Sequence, residues 1–228
     1  MEQLFKLMFL EWKKLKRHSV IGEVIIYWLI LMFMPMFFIK MIMPAFGQSY
    51  ASAIELNFFI QLGFILFGGS LINQVFIEEY KNKTISLSFR YPISRKKLFM
   101  AKVLFISLFV FLATMISFIL TGLTTYLLDQ VFPIINGQPT DSDISTYFSS
   151  MIIGSLIVPL IGFIPLFFFA IWKRETVPTI VCSIVTMQLP NFSSFTNFKP
   201  EFVIAVLCIL GALSIYLSIK TAESVGEI

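Results

Sequence analysis

Six long apolar stretches, set apart by short polar ones, leave this chain few ways to fold outside a lipid bilayer. Crossing the hydrocarbon takes about 20 helical residues. Residues 20–43 (VIGEVIIYWLILMFMPMFFIKMIM), 56–77, 101–128, 147–172 and 202–219 meet that requirement. The fifth stretch, from Thr176 to Leu189, stops at Pro190 and covers only about two thirds of the membrane at the helical rise. Phe- and Ser-rich PNFSSFTNF follows, which reads as a short span completed by a re-entrant or kinked piece over residues 190–199. Irregular backbone at that depth needs neighbouring protein to shield it. If the fifth stretch fails to cross, the C-terminus lies outside. Composition agrees: 57% of the 228 residues are hydrophobic, 27 of them Phe, more apolar side chain than one soluble core can bury. The expected fold class is an all-α integral membrane protein with six transmembrane helices and, over residues 19–228, one transmembrane domain.

The charges are as unevenly placed as the apolar residues. All 17 Lys and Arg except Lys40 and Lys199 lie near the N-terminus, in residues 78–102, beside Lys173 and Arg174, or at Lys220. With six crossings these positions share one side. The bias toward Lys and Arg then puts both termini and residues 78–102 in the cytoplasm. It also accounts for the net charge of +4 without nucleic acid. Residues 1–18 read as an interfacial helix: at 100° per residue Leu4, Phe5, Met8, Trp12 and Leu15 share about 100° of arc, opposite Lys6, Lys13 and Arg17. Such a helix suits the headgroup boundary or a docking face on other protein. The same stretch has acidic residues and no short apolar core before a small-residue site, so no signal peptide is expected. His18 has no second histidine with which to hold a metal. Cys182 and Cys208, both in apolar runs, read as small core hydrophobes.

The most charged segment, EEYKNKTISLSFRYPISRKKLFMAK, begins at Glu78. TISLSFRY makes two helical turns, with Ile85 and Phe89 on one face and Leu87 and Tyr91 on another. Pro92 stops it, because proline lacks the amide hydrogen and clashes with the preceding turn. Ser94 then serves as the N-cap of a restarted helix. A short cross-helix with exposed aliphatic and aromatic residues on the membrane surface is a docking device; the plainer alternative is a solvated basic loop.

Glu79, Thr84, Leu87, Pro92, Ser94–Arg95 and Lys102 resemble the pattern between the second and third spans of type-2 ABC transporter permeases, with Lys83 where that pattern has glycine. The resemblance implies a cytoplasmic coupling helix, carried here by Thr84, Ile85, Leu87, Phe89, Arg90, Tyr91, Pro92, Ser94 and Arg95. It also implies docking to a separate cytoplasmic ABC ATPase, two copies per transporter, and a second permease copy or a paralogue. The location it implies is a bacterial cytoplasmic membrane. No G-x-x-x-x-G-K-[ST] loop occurs in the sequence, so ATP and Mg are expected on the partner subunit, and the chain itself is expected to be non-catalytic and free of cofactor or metal.

A compact, Phe- and Met-rich permease with short outer loops is similar to exporters of amphipathic peptides and lantibiotic-immunity permeases, including phenol-soluble-modulin exporters. The polar residues inside the spans are Glu23, Gln61, Asn73, Gln74, Ser183, Thr186 and Gln188. Glu23 is either a headgroup anchor or a functional charge. The others line a translocation path or bond helix to helix, and the resemblance puts segments two and five near the dimer interface. Asp141 and Asp143 solvate an outer loop. A secondary transporter is the first alternative, against which stand the lack of evident repeats and the scarcity of buried charge. A membrane scaffold or sensor that recruits a partner is the second.

Overall fold

The computed structural model describes residues 2–42, 49–82, 94–135, 137–192 and 199–221, and every regular element among them is helical. In order these are α1 (Glu2–Lys14), α2 (Arg17–Phe37), α3 (Tyr50–Glu55), α4 (Phe58–Ile72), α5 (Glu78–Lys81), α6 (Arg95–Val131), α7 (Asp141–Gly162), α8 (Thr176–Phe192) and α9 (Pro200–Thr221). Wider π-helical turns extend α2 through Phe38–Ile42, join α4 to α5 through Asn73–Ile77, and follow α7 at Leu166–Lys173. Two of the three follow a proline, Pro35 or Pro165, whose missing N–H disturbs the regular ladder.

Five helical stretches are long and apolar enough to cross a bilayer: Arg17–Met41, Tyr50–Lys81, Arg95–Val131, Asp141–Lys173 and Pro200–Thr221. Among these described helices all but the first extend past both ends of the apolar stretch read from sequence, since polar end residues continue the helix. Two boundaries differ from the sequence reading. The first helix ends at Lys14, and Arg17 and His18 open α2 instead. Pro190 does not end α8, which continues to Phe192 for 17 residues, or about 25 Å at the helical rise. A proline so near the C-terminus removes one hydrogen bond and is tolerated. The helix therefore takes up the first residues assigned to a re-entrant piece; residues 193–198 lie outside the described ones.

The second span is the centre of the bundle. Of its most apolar window 61% is buried, against 22% for the last span. Helix α4 packs on α2, α6, α7 and α8, around fully buried Phe64, Phe67, Phe118 and Phe163. Water does not drive helices together inside lipid, so close backbone approach and interhelical hydrogen bonds must. The GFILFGGS stretch supplies the first. A Cβ on Gly68 would lie 3.7 Å from Gly162 Cα on α7, and one on Gly69 would collide with the Ser183 side chain of α8. The second comes from Trp28 Nε1, which donates to the Ala113 carbonyl at 3.0 Å, and from Thr124 Oγ1, which donates to that of Met32 at 2.8 Å, both joining α2 to α6.

Helix α9 approaches α7 most closely at Gly211, where an added Cβ would overlap the carbonyl oxygen of Leu160. That obstacle is backbone and cannot turn aside. Gly211→Ala is therefore expected to lower stability by about 3 kcal/mol, toward the upper end for overpacking. The check is a thermal melt of the purified protein, with Gly22→Ala, where nothing lies within 4 Å, as the silent control.

Candidate functional site

At the end of the bundle where α5 closes the second span, three consecutive side chains are each tied to a different neighbour. Glu79 Oε2 accepts from Lys102 Nζ of α6 at 2.5 Å. Tyr80 lies under the guanidinium of Arg174, 4.6 Å from its ring centroid, at the end of the π-turn after α7. Lys81 Nζ donates to Thr176 Oγ1 at the start of α8 at 2.8 Å, and that hydroxyl donates in turn to Asn73 Oδ1 at 2.8 Å. Arg174 itself has left-handed backbone, φ 58°, a conformation few non-glycine residues adopt.

The ion pair around Glu79 is the most constrained of these. Lys102 is completely buried, on the face of α6 that also buries Phe99 and Ile106. Its ammonium donates to the Val75 carbonyl at 2.8 Å, within the π-turn between α4 and α5, and stands 3.7 Å from Glu11 Oε2. Phe76 offers its ring face 5.2 Å away. Glu11, only 3% exposed, pairs with Lys14 at 2.9 Å, and Lys14 reaches Glu79 at 3.4 Å. Two acids and two bases from α1, α5 and α6 thus come together in one charge cluster. An isolated ammonium would not tolerate such burial; this one has carboxylate and carbonyl partners.

Burial works to lower the Lys14 pKa, but the hydrogen bonds and charges of Glu11 and Glu79 outweigh it and hold the ammonium above the usual lysine value. A raised lysine stabilises fully below its unfolded value and loses that contribution only as pH rises through the folded one. The docking of α1 through Lys14 is accordingly insensitive to pH near neutrality. Apolar contacts hold the same helix. Trp12 sits 6.2 Å from Phe105 and 5.5 Å from Phe109 between ring centroids, while Phe5, Phe9 and Leu10 stay exposed. Helix α1 therefore uses one face for this chain's own α6 and leaves another apolar face open.

Of the coupling-helix residues named from sequence, Thr84, Ile85, Leu87, Phe89, Arg90, Tyr91 and Pro92 lie outside the described residues. Ser94 holds the N-cap position of α6 with extended backbone but makes no side-chain capping bond, and Arg95 opens the helix. Some of the polar residues inside the spans meet another helix, and others bond within their own. Gln74 Nε2 donates to Glu23 Oε2 at 3.3 Å and to Ser70 at 3.4 Å. Gln61 packs against Gly154 of α7. Ser183 and Thr186, with Thr179, form a buried stripe on α8 whose hydroxyls donate back to carbonyls of the same helix or the residue leading into it, while Val181, Ile184 and Val185 face outward. Gln188 accepts from Asn191 at 3.1 Å.

Sequence reasoning missed the role of Glu11 and treated buried charge as scarce. A signal was present. At 100° per residue Glu11 falls about 20° from Leu4, within the apolar face of α1, where an acid needs a buried cation. Lys102 carried the matching sign at helical spacing from Phe99 and Ile106.

A bundle of apolar helices with a buried charge cluster at one end defines a polytopic membrane protein with a tightly braced second span. The family model for ABC-2 family transporter proteins matches residues 7–191, and the chain belongs to that family. It is also similar to the uncharacterized protein YcbO of Bacillus subtilis (strain 168): 32% identical over 184 residues, covering 78% of this chain and 80% of that one. The protein is thus a transmembrane permease component of an ABC transporter, the component that in general carries no catalysis.

Proposed function

We propose that this chain is the permease of an ATP-driven exporter, worked by a separate ATPase that docks on residues 84–95. The observation that carries the reading is the bracing of α5. Helix α5 ends at Lys81, immediately before the docking segment, and its last three residues hold α1 and α6, the π-turn after α7, and the start of α8. A push on the segment is delivered to all of these elements at once. Six crossings, with α8 as the short fifth, put that end of the bundle in the cytoplasm of a bacterial cell membrane, together with both termini. Two permease copies, identical or paralogous, and two ATPase copies complete the transporter. The exposed apolar side of α8 serves the contact between permeases.

In the cycle, ATP and Mg close the two ATPase subunits, which displace the docked segments. The braced helices tilt, and the path between permeases opens outward. For this to run, nucleotide must favour the outward state by its differential affinity. The cargo is an amphipathic peptide, for which the compact, Phe- and Met-rich spans offer an adaptable apolar lining. Buried Glu11 and Lys102 restore some of the charge that an ion-coupled transporter would need. Both are paired within the chain, however, and the family favours the ATP-driven reading.

The test is transport by vesicles holding the chain and an ATPase encoded beside it. Export of an amphipathic peptide is expected to need hydrolysable ATP and to cease with a hydrolysis-dead ATPase. Equal export with the dead enzyme would overturn the proposal.

A further inference from the structure

The end of the bundle away from the charge cluster holds a second feature, which the ATP-driven cycle does not use. About 20 residues of α6 separate Lys102 from Gly122, or about 30 Å along the helix. There a cavity of about 500 Å³ opens between α3, α6 and α7. That volume lies in the range of sites that bury small ligands. Its inner wall includes Ala53, Asn57, Thr125 and Met151, all buried. Its rim is made of Ile119, Leu123, Tyr126, Ile144 and Phe148, each exposed by 46% or more. These rim residues lie on two spans and are largely apolar, a surface suited to lipid chains.

Two polar features give the cavity a chemistry. Asp143 is the charged residue among those lining it, in the first turn of α7, where its Oδ2 accepts from the Thr140 amide at 3.0 Å and from the Thr140 hydroxyl at 2.7 Å. Asn57, 3% exposed, forms part of the wall, and its Nδ2 has no hydrogen-bond acceptor among the described residues. Two further polar lining groups are already engaged: the Tyr147 hydroxyl donates to the Phe118 carbonyl, and Tyr50 donates to Asp129.

We propose that this cavity is a binding site for a membrane lipid with a primary ammonium in its headgroup. One acyl chain fills the apolar pocket, and the ammonium lies against the Asp143 carboxylate. Charge complementarity selects the occupant. The only formal charge among the described lining residues is a carboxylate at the edge, which attracts a headgroup ammonium and disfavours a head that carries negative charge alone. A peptide presents the same two features, but the rim of exposed, largely apolar residues on two spans favours a lipid. The inference does not depend on the ATPase-driven export reading, since it concerns a different end of the molecule.

The experiment uses the full chain in phosphatidylcholine vesicles. These carry traces of phosphatidylethanolamine with a photoreactive acyl chain, or of phosphatidylglycerol with the same chain. After illumination, labelled residues are mapped by mass spectrometry. Exposed Ile209, Leu213 and Tyr216 on α9 report labelling from bulk lipid. The ethanolamine probe is expected to label Asn57, Thr125 and Met151 several-fold above that reference. It should exceed the glycerol probe there by about threefold, the scale of one partly exposed charge pair. Asp143→Asn keeps an oxygen for the Thr140 cap and is expected to erase the preference between headgroups. Thr125→Phe should fill the pocket and abolish the enrichment without altering labelling of α9. Cavity labelling no higher than on α9, or a headgroup preference that survives Asp143→Asn, overturns the proposal. So does labelling by a cationic amphipathic peptide probe where the lipid probe gives none.

Discussion

Replacing Lys102 with methionine is expected to cost about 3–5 kcal/mol of stability, the range for breaking a buried ion pair by removing one partner. Methionine nearly keeps the length and volume of the lysine stem, so the loss is electrostatic rather than a cavity. The Val75 carbonyl and the Glu79 carboxylate lose this donor, and Glu11 loses its second cation, all around a fully buried position. The measurement is the melting temperature of the purified permease. The companion variant Glu11→Gln, whose carboxylate is the more distant at 3.7 Å, is expected to cost less than half as much. The double variant Glu79→Gln with Lys102→Met should fall short of the sum of its single losses, because the two residues share one interaction. If Lys102→Met melts with the parent protein, the cluster is not what fastens α1 and α5 to α6.

The second large effect is expected from Phe89→Asp combined with Tyr91→Asp. Both residues follow the second span in a segment whose apolar side chains have no reason, on sequence grounds, to face water. If they fill a groove on an ATPase, two carboxylates in their place must be buried unpaired or must prevent docking. Removing two aromatic anchors of an interface costs about 2 kcal/mol or more each, so co-purification should fall by at least about a thousandfold. Stimulation of ATP hydrolysis by the permease should vanish with it. The melting temperature of the permease alone should stay the same, which separates lost docking from lost folding. Retained co-purification would remove the docking role from this segment and leave the family membership untouched.

Pro190 and Glu11 show where sequence reading ran short. Proline was taken as the stop of the short span, since its effect on the preceding turn is a local rule. Helix α8 nevertheless runs on to Phe192, because near a C-terminus that rule costs a single bond. Glu11 lay on an apolar face, but its partners are 68 and 91 residues further on (Glu79 being bridged through Lys14, Lys102 directly). Periodicity places a residue on a face; it does not say which other face arrives opposite. In the same way Gln61, Gln74, Ser183 and Thr186 were visible as polar residues in apolar runs. That Gln74 bonds to Glu23, that Gln61 and Ser183 pack on glycines of other helices, and that Thr186 bonds within its own helix emerged only from packing.

Membrane residence, helical class and the position of most spans were determined by the sequence alone, because lipid forces backbone hydrogen bonds to close within each segment and about 20 apolar residues make a crossing. The Glu-Thr-Leu-Pro-Ser-Arg-Lys pattern likewise marked the family before any coordinates. The tertiary structure alone decided which span is central, which charges are buried together, and where a cavity remains. Those outcomes depend on contacts between residues far apart in the chain, such as Gly69 with Ser183 and Glu79 with Lys102, and interhelical fit leaves no periodic trace within either segment.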